Sequence, residues 1–213
     1  MVRLTAVTLF CVGTTGCAGD AWQPIFNGRD LAGWHASSSS PHGQTDAWHV
    51  VDGAIVGAQQ PPGTGGVLLS DARFGNVEVR LEVKLCQGCD SGLFLRSSER
   101  GQAYQVMLDH VAGGVIGSVF GEQMEELNAP VNRVGELVWR PGDWNEVRAR
   151  IEGDAPHITV WINGTQTTDW TDSRNHAADG AVEGALGLQV HGGGRWTPGG
   201  TLAVRRIAVR RID

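Results

Sequence analysis

Val77-Glu-Val-Arg-Leu-Glu-Val-Lys-Leu85 constrains the fold more than any other segment, because it puts five aliphatic residues on one face and Glu78, Arg80, Glu82 and Lys84 on the other. A period of two is the signature of a strand with one buried and one wet face, since successive strand side chains point to opposite sides of a sheet. Trp144–Ile151, Ile158–Thr168, Gly184–Gly192 and Leu202–Ile212 repeat the pattern. Asp52-Gly53 and Asn163-Gly164 sit between alternating runs, where both residues can supply the positive φ angles of a two-residue hairpin turn. Gly113–Gly121 reads as a further, glycine-rich strand, and Glu122–Asn128 is the one stretch suited to a helical turn. These signals predict an all-β fold of about twelve short strands, a two-sheet antiparallel jelly-roll sandwich in a single domain. The alternating signs of Glu78, Arg80, Glu82 and Lys84 suggest a charge ladder in preference to a general base at a carbohydrate cleft.

The N-terminus is different in kind. Met1-Val-Arg3 and the short apolar run Leu4–Val12 read as an export signal too short to span a bilayer. Thr14-Thr-Gly-Cys17-Ala18 resembles a lipobox, although Thr14 stands where an aliphatic residue is usual. The expected organisation is a signal over residues 1–17, a tether over 18–23 and the folded domain over 24–213. Lipidation of Cys17 would anchor the exported protein in the periplasm or at the cell surface, in preference to free secretion, and the lipid would be its only membrane contact. Cys86 and Cys89, in Cys-Gln-Gly-Cys, are expected to close a small disulfide in an exported chain. A redox pair would need a βαβ context and zinc would need two more ligands nearby, and neither is visible. The formal charge of −6 disfavours a nucleic-acid partner, and Arg205, Arg206, Arg210 and Arg211 fall on the exposed side of a final strand.

Ser91–His110 carries the candidate site. Alternation sends Leu93, Leu95, Tyr104, Val106 and Leu108 to the core, and Phe94, Arg96, Gln105, Met107 and Asp109 to the other face. A cation, an amide and a carboxylate would then stand together. The competing reading is a cross-strand Arg96–Asp109 ion pair on a wet surface. Leu186, Leu188 and Val190 likewise point inward, which leaves Gln189 and His191 facing out beside glycines.

Phe26-Asn-Gly-Arg-Asp-Leu-Ala-Gly-Trp34, Trp48-x-Val-x-Asp-Gly53, Ser91-Gly-Leu-Phe-Leu-Arg96, Tyr104-Gln-Val-Met-Leu-Asp109, Gly142-Asp-Trp-Asn145, Asn163-Gly164 and Gly187-Leu-Gln-Val-His191 together resemble the 3-keto-disaccharide hydrolase domain family, in that family's order. The resemblance implies a concanavalin A-like or laminin G-like sandwich acting on glycosides whose C3 hydroxyl has been oxidised to a ketone. Asp90 departs from the Asn usual in the family, and the Cys86/Cys89 pair is an addition to its pattern.

A 3-ketone acidifies the C2 proton, so the implied chemistry is C2 deprotonation, loss of the C1 leaving group and rehydration. It needs a base, an enolate stabiliser and an acid. Asp109 or His191 is the candidate base and Arg96 the candidate enolate stabiliser, with Gln105, Gln189 and Phe94 against the sugar. No cofactor is evident; a divalent metal would also stabilise an enolate, but no ligand cluster marks one. The alternative is a non-catalytic carbohydrate-binding module that uses Trp161, Trp170 or Trp196 as stacking platforms. Oligomeric state is not legible in the sequence.

Overall fold

The computed structural model describes residues 21–212 of the chain. The predicted signal, Cys17 and residues 18–20 lie outside them. The body begins earlier than predicted, because Gln23 pairs with Val209 in strand β1 (Gln23–Pro24) instead of lying in a tether. Trp22 lies under the guanidinium groups of Arg80 and Arg210, at 4.3 and 5.2 Å from its ring centre, where the negative face of an indole attracts cations.

The remaining strands are β2 (Trp34–Ala36), β3 (His49–Val51), β4 (Ala54–Gly57), β5 (Gly66–Phe74), β6 (Val77–Leu85), β7 (Gly92–Ser97), β8 (Ala103–Met107), β9 (Val119–Glu122), β10 (Asn145–Glu152), β11 (His157–Ile162), β12 (Thr165–Thr171), β13 (Gly184–Val190) and β14 (Leu202–Arg211). They form two antiparallel sheets. One has the order β12-β11-β10-β6-β14-β4-β3, with β1 also paired to β14; the other has the order β2-β5-β13-β7-β8-β9. Between them lies one continuous core, into which Leu81, Val83, Val147 and Ile151 of the first sheet and Leu93, Leu95, Tyr104, Val106, Leu188 and Val190 of the second all project. The fold is the predicted all-β sandwich. Positive φ at Asp52 (48°), Gly53 (76°), Asn163 (49°) and Gly164 (81°) makes the two expected hairpin turns.

The outer face of the larger sheet is a charge lattice. Glu78 is only 2% exposed, and its carboxylate takes Arg148 and Arg210 at 3.2 and 2.6 Å. Glu82 takes Arg205 and Arg206 at 2.7 and 2.8 Å. A carboxylate sheltered this far from water must be paired. Three arginines of the basic C-terminal run are therefore held by Glu78 and Glu82. Arg148 also stacks on Trp161 at 3.9 Å.

Two local expectations are corrected. Residues 113–118 form a turn-rich loop and only Val119–Glu122 is strand, because Gly113 and Gly117 adopt φ of 77° and 80°, which break a ladder. The short helix is α1 (Val134–Val138), not 122–128. Asn132 Oδ1 accepts from the Val134 N–H at its start, and Gly135 lies so close to the Ile116 carbonyl that a Cβ would collide with it.

Candidate functional site

The site lies on the outer face of the smaller sheet. Register sets Phe94 opposite Gln105 and Gln105 opposite Phe120, so these three side chains form a row across β7, β8 and β9. Their surroundings differ. Phe94 is fully buried in a second apolar cluster with Val67, Leu69, Ala103 and Ala185, and Gly101 of the β7–β8 turn lies over its ring. Phe120 is 40% exposed and lines the groove. The sequence assigned Phe94 to the sugar; the aromatic face that water reaches belongs to Phe120.

The groove, about 260 Å³, is walled by Asp90, Gln105, Met107, Glu122, Gln189, His191 and Arg195 as well as Phe120. Its floor is a polar chain. Gln105 Nε2 donates to Gln189 Oε1 at 3.0 Å, the Gln189 amide end lies 2.9 Å from His42 Nε2, and that nitrogen is 3.2 Å from Glu122 Oε1. His42 Nε2, set between the Gln189 amide and the Glu122 carboxylate, joins its loop to the two strands. Gly92 makes the chain possible, because a Cβ there would overlap the Gln105 side chain.

Beside the chain stands a charge cluster. Arg195 Nε donates to Asp90 Oδ2 at 2.5 Å, and its Nη2 lies 3.7 Å from Asp109 Oδ2. The other oxygen of Asp90 is buried without a protein partner. His191 Nδ1–H donates to the Gly192 carbonyl at 2.6 Å, and its Nε2 lies 3.8 Å from Asp90 Oδ2. The His191 ring meets His42 edge to face at 4.8 Å. Burial, reinforced by the Asp90 charge, pushes Asp109 up to about 6 despite the Val115 N–H that its Oδ1 accepts at 2.8 Å. Gly114 shapes the loop that presents Val115, because a Cβ there would strike the Asp109 carbonyl oxygen. Asp90, for its part, holds Arg195 above its ordinary basicity.

Gln105, Asp109, Gln189 and His191 therefore share one end of the face. Arg96 does not join them. Its φ is +50°, and the register between β13 and β7 shifts at that point, so the alternation that would have turned its side chain outward is broken. Its Nε and Nη2 instead donate weakly to the Gly75 carbonyl and Asn76 Oδ1, at 3.4 and 3.3 Å, and Nη1 is buried without a partner. Gly184 permits this bulge, since a Cβ there would overlap the Arg96 backbone. The competing reading, a cross-strand Arg96–Asp109 ion pair, is likewise not found among the described residues; Arg195 supplies the cation beside Asp109.

Sequence reasoning missed His42, Glu122, Phe120 and Arg195, and noted Asp90 only as a departure from the family pattern. Phe120 and Glu122 share a strand face, but Gly113–Gly121 reads as one long run that hides it. His42 and Arg195 lie in loops, where no period assigns a direction. Cys86 and Cys89 are disulfide-bonded, with Cα atoms 5.5 Å apart, and hold the turn that leads into Asp90. The tryptophans proposed as platforms are engaged elsewhere. Trp196 is buried and donates to the Gly200 carbonyl, Trp170 packs against the core, and Trp161 carries Arg148. Among the described residues no three His, Cys, Asp or Glu side chains converge as metal ligands, and Asp90 and Asp109 have Arg195 between them.

Comparison with known proteins adds the following. The profile of the 3-keto-alpha-glucoside-1,2-lyase-like domain matches residues 21–210. A 3-keto-disaccharide hydrolase from Bacteroides thetaiotaomicron is 22% identical, over 91% of this chain and 79% of the relative. Among solved structures, a candidate glycosyl hydrolase from Parabacteroides distasonis superposes with a TM-score of 0.63 at 18% identity, covering 91% of this chain and all of that one. The carbohydrate-binding module CBM66 from Bacillus subtilis superposes at 0.52 with 15% identity, covering 84% and 95%.

Proposed function

The chain belongs to the 3-keto-alpha-glucoside-1,2-lyase-like domain family, and from that premise we propose that the groove of the smaller sheet cleaves glycosides bearing a ketone at C3, by elimination across C1 and C2 followed by hydration. His191 Nε2 takes the C2 proton. The electron pair of that C–H bond forms the enolate, whose oxygen Arg195 stabilises. Collapse of the enolate restores the ketone, makes the C1–C2 double bond and expels the leaving alkoxide, which is protonated by Asp109. Water then adds across the double bond, hydroxyl to C1 and hydrogen to C2, and the net change is hydrolysis. Gln105 and Gln189 orient hydroxyls, and Phe120 offers its face to the ring.

The observation that carries this reading is the placement of His191: its Nδ1 is engaged by the Gly192 carbonyl at 2.6 Å, so Nε2 is the ring nitrogen left for a substrate, and the same groove is lined by Arg195. A positioned general base is worth about 10²- to 10⁴-fold in rate. The relatives named for 3-keto-disaccharide hydrolysis and glycosyl hydrolysis support the same substrate class.

The test is turnover of a 3-keto-glucoside in deuterium oxide, following release of the alcohol and uptake of deuterium at C2. Wild-type protein is expected to do both, and His191→Gln to lose both by at least about 100-fold. Binding of the substrate by wild-type protein without either event would replace this reading with that of a carbohydrate-binding module such as CBM66.

A further inference from the structure

Arg195 opens the segment 195–201, which lies between β13 and β14 and belongs to neither sheet. Its guanidinium must nevertheless keep one place to serve the groove, because an oxyanion donor acts only where it is held against the developing charge. The turn closed by the Cys86–Cys89 disulfide supplies that hold, and the two segments are laced together along their length. Cys86 N–H donates to the Thr201 carbonyl at 3.1 Å, Thr197 Oγ1 to the Gln87 carbonyl at 2.8 Å, and Asp90 N–H to the Arg195 carbonyl at 2.9 Å. Arg195 answers the last of these through Nε, which donates to Asp90 Oδ2 at 2.5 Å. Backbone and side chain of Asp90 therefore grip the same residue.

The fit between the segments is close. A Cβ on Gly200 would overlap both sulfurs, and one on Gly88 would overlap Thr197 Oγ1. Trp196, buried in the core between the sheets, donates from Nε1 to the Gly200 carbonyl at 3.1 Å, so the segment is fixed to the core on one side and rests on the disulfide on the other. The turn is held from behind as well: Gly88 N–H donates to the His110 carbonyl at 2.7 Å, and His110 N–H to the Cys89 carbonyl at 2.9 Å, next to Asp109.

The competing role for the disulfide is a staple for the whole fold. Cys86 and Cys89 are three residues apart, and a cross-link that closes so short a ring takes little freedom from the unfolded chain, since the entropic gain grows with loop length. What the bridge fixes is local, the shape of one turn and with it the surface on which residues 195–201 lie. We propose that the Cys86–Cys89 disulfide and Asp90 are positioning elements for Arg195, so that opening the disulfide frees the guanidinium from the groove wall and leaves the sandwich folded. The proposal rests on the reading of Arg195 as the enolate stabiliser.

Two preparations test it on a 3-keto-glucoside: the double variant Cys86→Ser/Cys89→Ser, and wild-type protein reduced with dithiothreitol. In the reduction the pair takes up two electrons and two protons to become two thiols, and the dithiol closes to a cyclic disulfide. Circular dichroism checks the fold of each. The expected result is a fall in kcat of about tenfold or more in both, with KM within about twofold of untreated wild type. In an Arg195→Ala background the same two changes should alter kcat by no more than about twofold, because the group through which they act is gone. An unchanged kcat, equal losses in the two backgrounds, or loss of the sandwich in both preparations would overturn the proposal. A second readout does not depend on turnover. The Arg195 Nε–H resonance, identified by its absence from Arg195→Ala, should shift and broaden in the NMR spectrum when the disulfide is removed, and a resonance that stays in place would also overturn it. If wild-type protein releases no alcohol from the 3-keto-glucoside, the proposed function fails, and this resonance alone decides whether the disulfide places Arg195.

Discussion

Arg96 and Arg195 stand by opposite ends of the same sheet, and the contrast between them separates structure from chemistry. Arg96 is 3% exposed, meets no carboxylate within ion-pair distance among the described residues, and makes two long hydrogen bonds to neutral oxygens. Burial pulls its guanidinium below its ordinary basicity. Nearby, Tyr104 donates to Asp172 at 2.9 Å, and Asp172 also meets His176 Nδ1 at 2.7 Å, so the carboxylate at that end is engaged by other partners. Arg195 is half-exposed, bonded to Asp90, close to Asp109 and beside an open groove. A cation held between carboxylates at a water-accessible edge can meet developing negative charge on a ligand. A cation sealed among neutral carbonyls cannot be approached by one.

Three measurements would break or sharpen the contrast. The largest effect is expected from Arg195→Ala, which should lower turnover of a 3-keto-glycoside by about 10²- to 10³-fold, the usual cost of removing an oxyanion donor. Turnover within a fewfold of wild type would detach Arg195 from the chemistry.

Asp109 gives the next effect. Its folded pKa is raised to about 6 from an ordinary 3.8, so the folded state holds the proton more tightly than the unfolded chain. The stability it contributes is fully present below about pH 4 and is lost as pH rises through 6, a difference of about 3 kcal/mol at the limit. Asp109→Asn keeps the acceptor for Val115 and removes the titration. It should therefore match wild type near pH 4 and exceed it by about 2 kcal/mol at pH 8, as read by urea unfolding at the two pH values. A variant less stable than wild type at pH 8 would show that the Arg195 contact outweighs the burial.

Arg96→Met should have the smallest effect. Replacing a poorly compensated buried charge by an apolar chain of similar length is often neutral or stabilising, so unfolding free energy should change by no more than about 1 kcal/mol and turnover by about twofold. A hundredfold loss of turnover would return Arg96 to the site.

Much of the frame was legible along the chain. Val77–Leu85 showed which side chains enter the core, and Asp52-Gly53 and Asn163-Gly164 marked their hairpins. The outward direction of Gln105, Asp109, Gln189 and His191 followed from alternation. The failures have local causes. Gly113–Gly121 has a strand-like composition, yet two of its glycines sit at positive φ. Phe94 points outward as alternation requires, but the β7–β8 turn folds over it.

Two kinds of information thus meet in this protein. Side-chain direction within a regular strand is set by covalent geometry, so the sequence alone determined the sandwich and the facing of most of its residues. Arg96 shows the limit of that rule, because a single residue at positive φ, allowed by the missing side chain of Gly184 on the neighbouring strand, reverses the expected direction. Proximity between distant segments was decided only by the tertiary structure. It brought the loop residues His42 and Arg195 to the sheet, placed Asp90 against Arg195, and buried Asp109 deeply enough to move its proton affinity. Burial and long-range electrostatics depend on what surrounds a group, and no period in the chain encodes them.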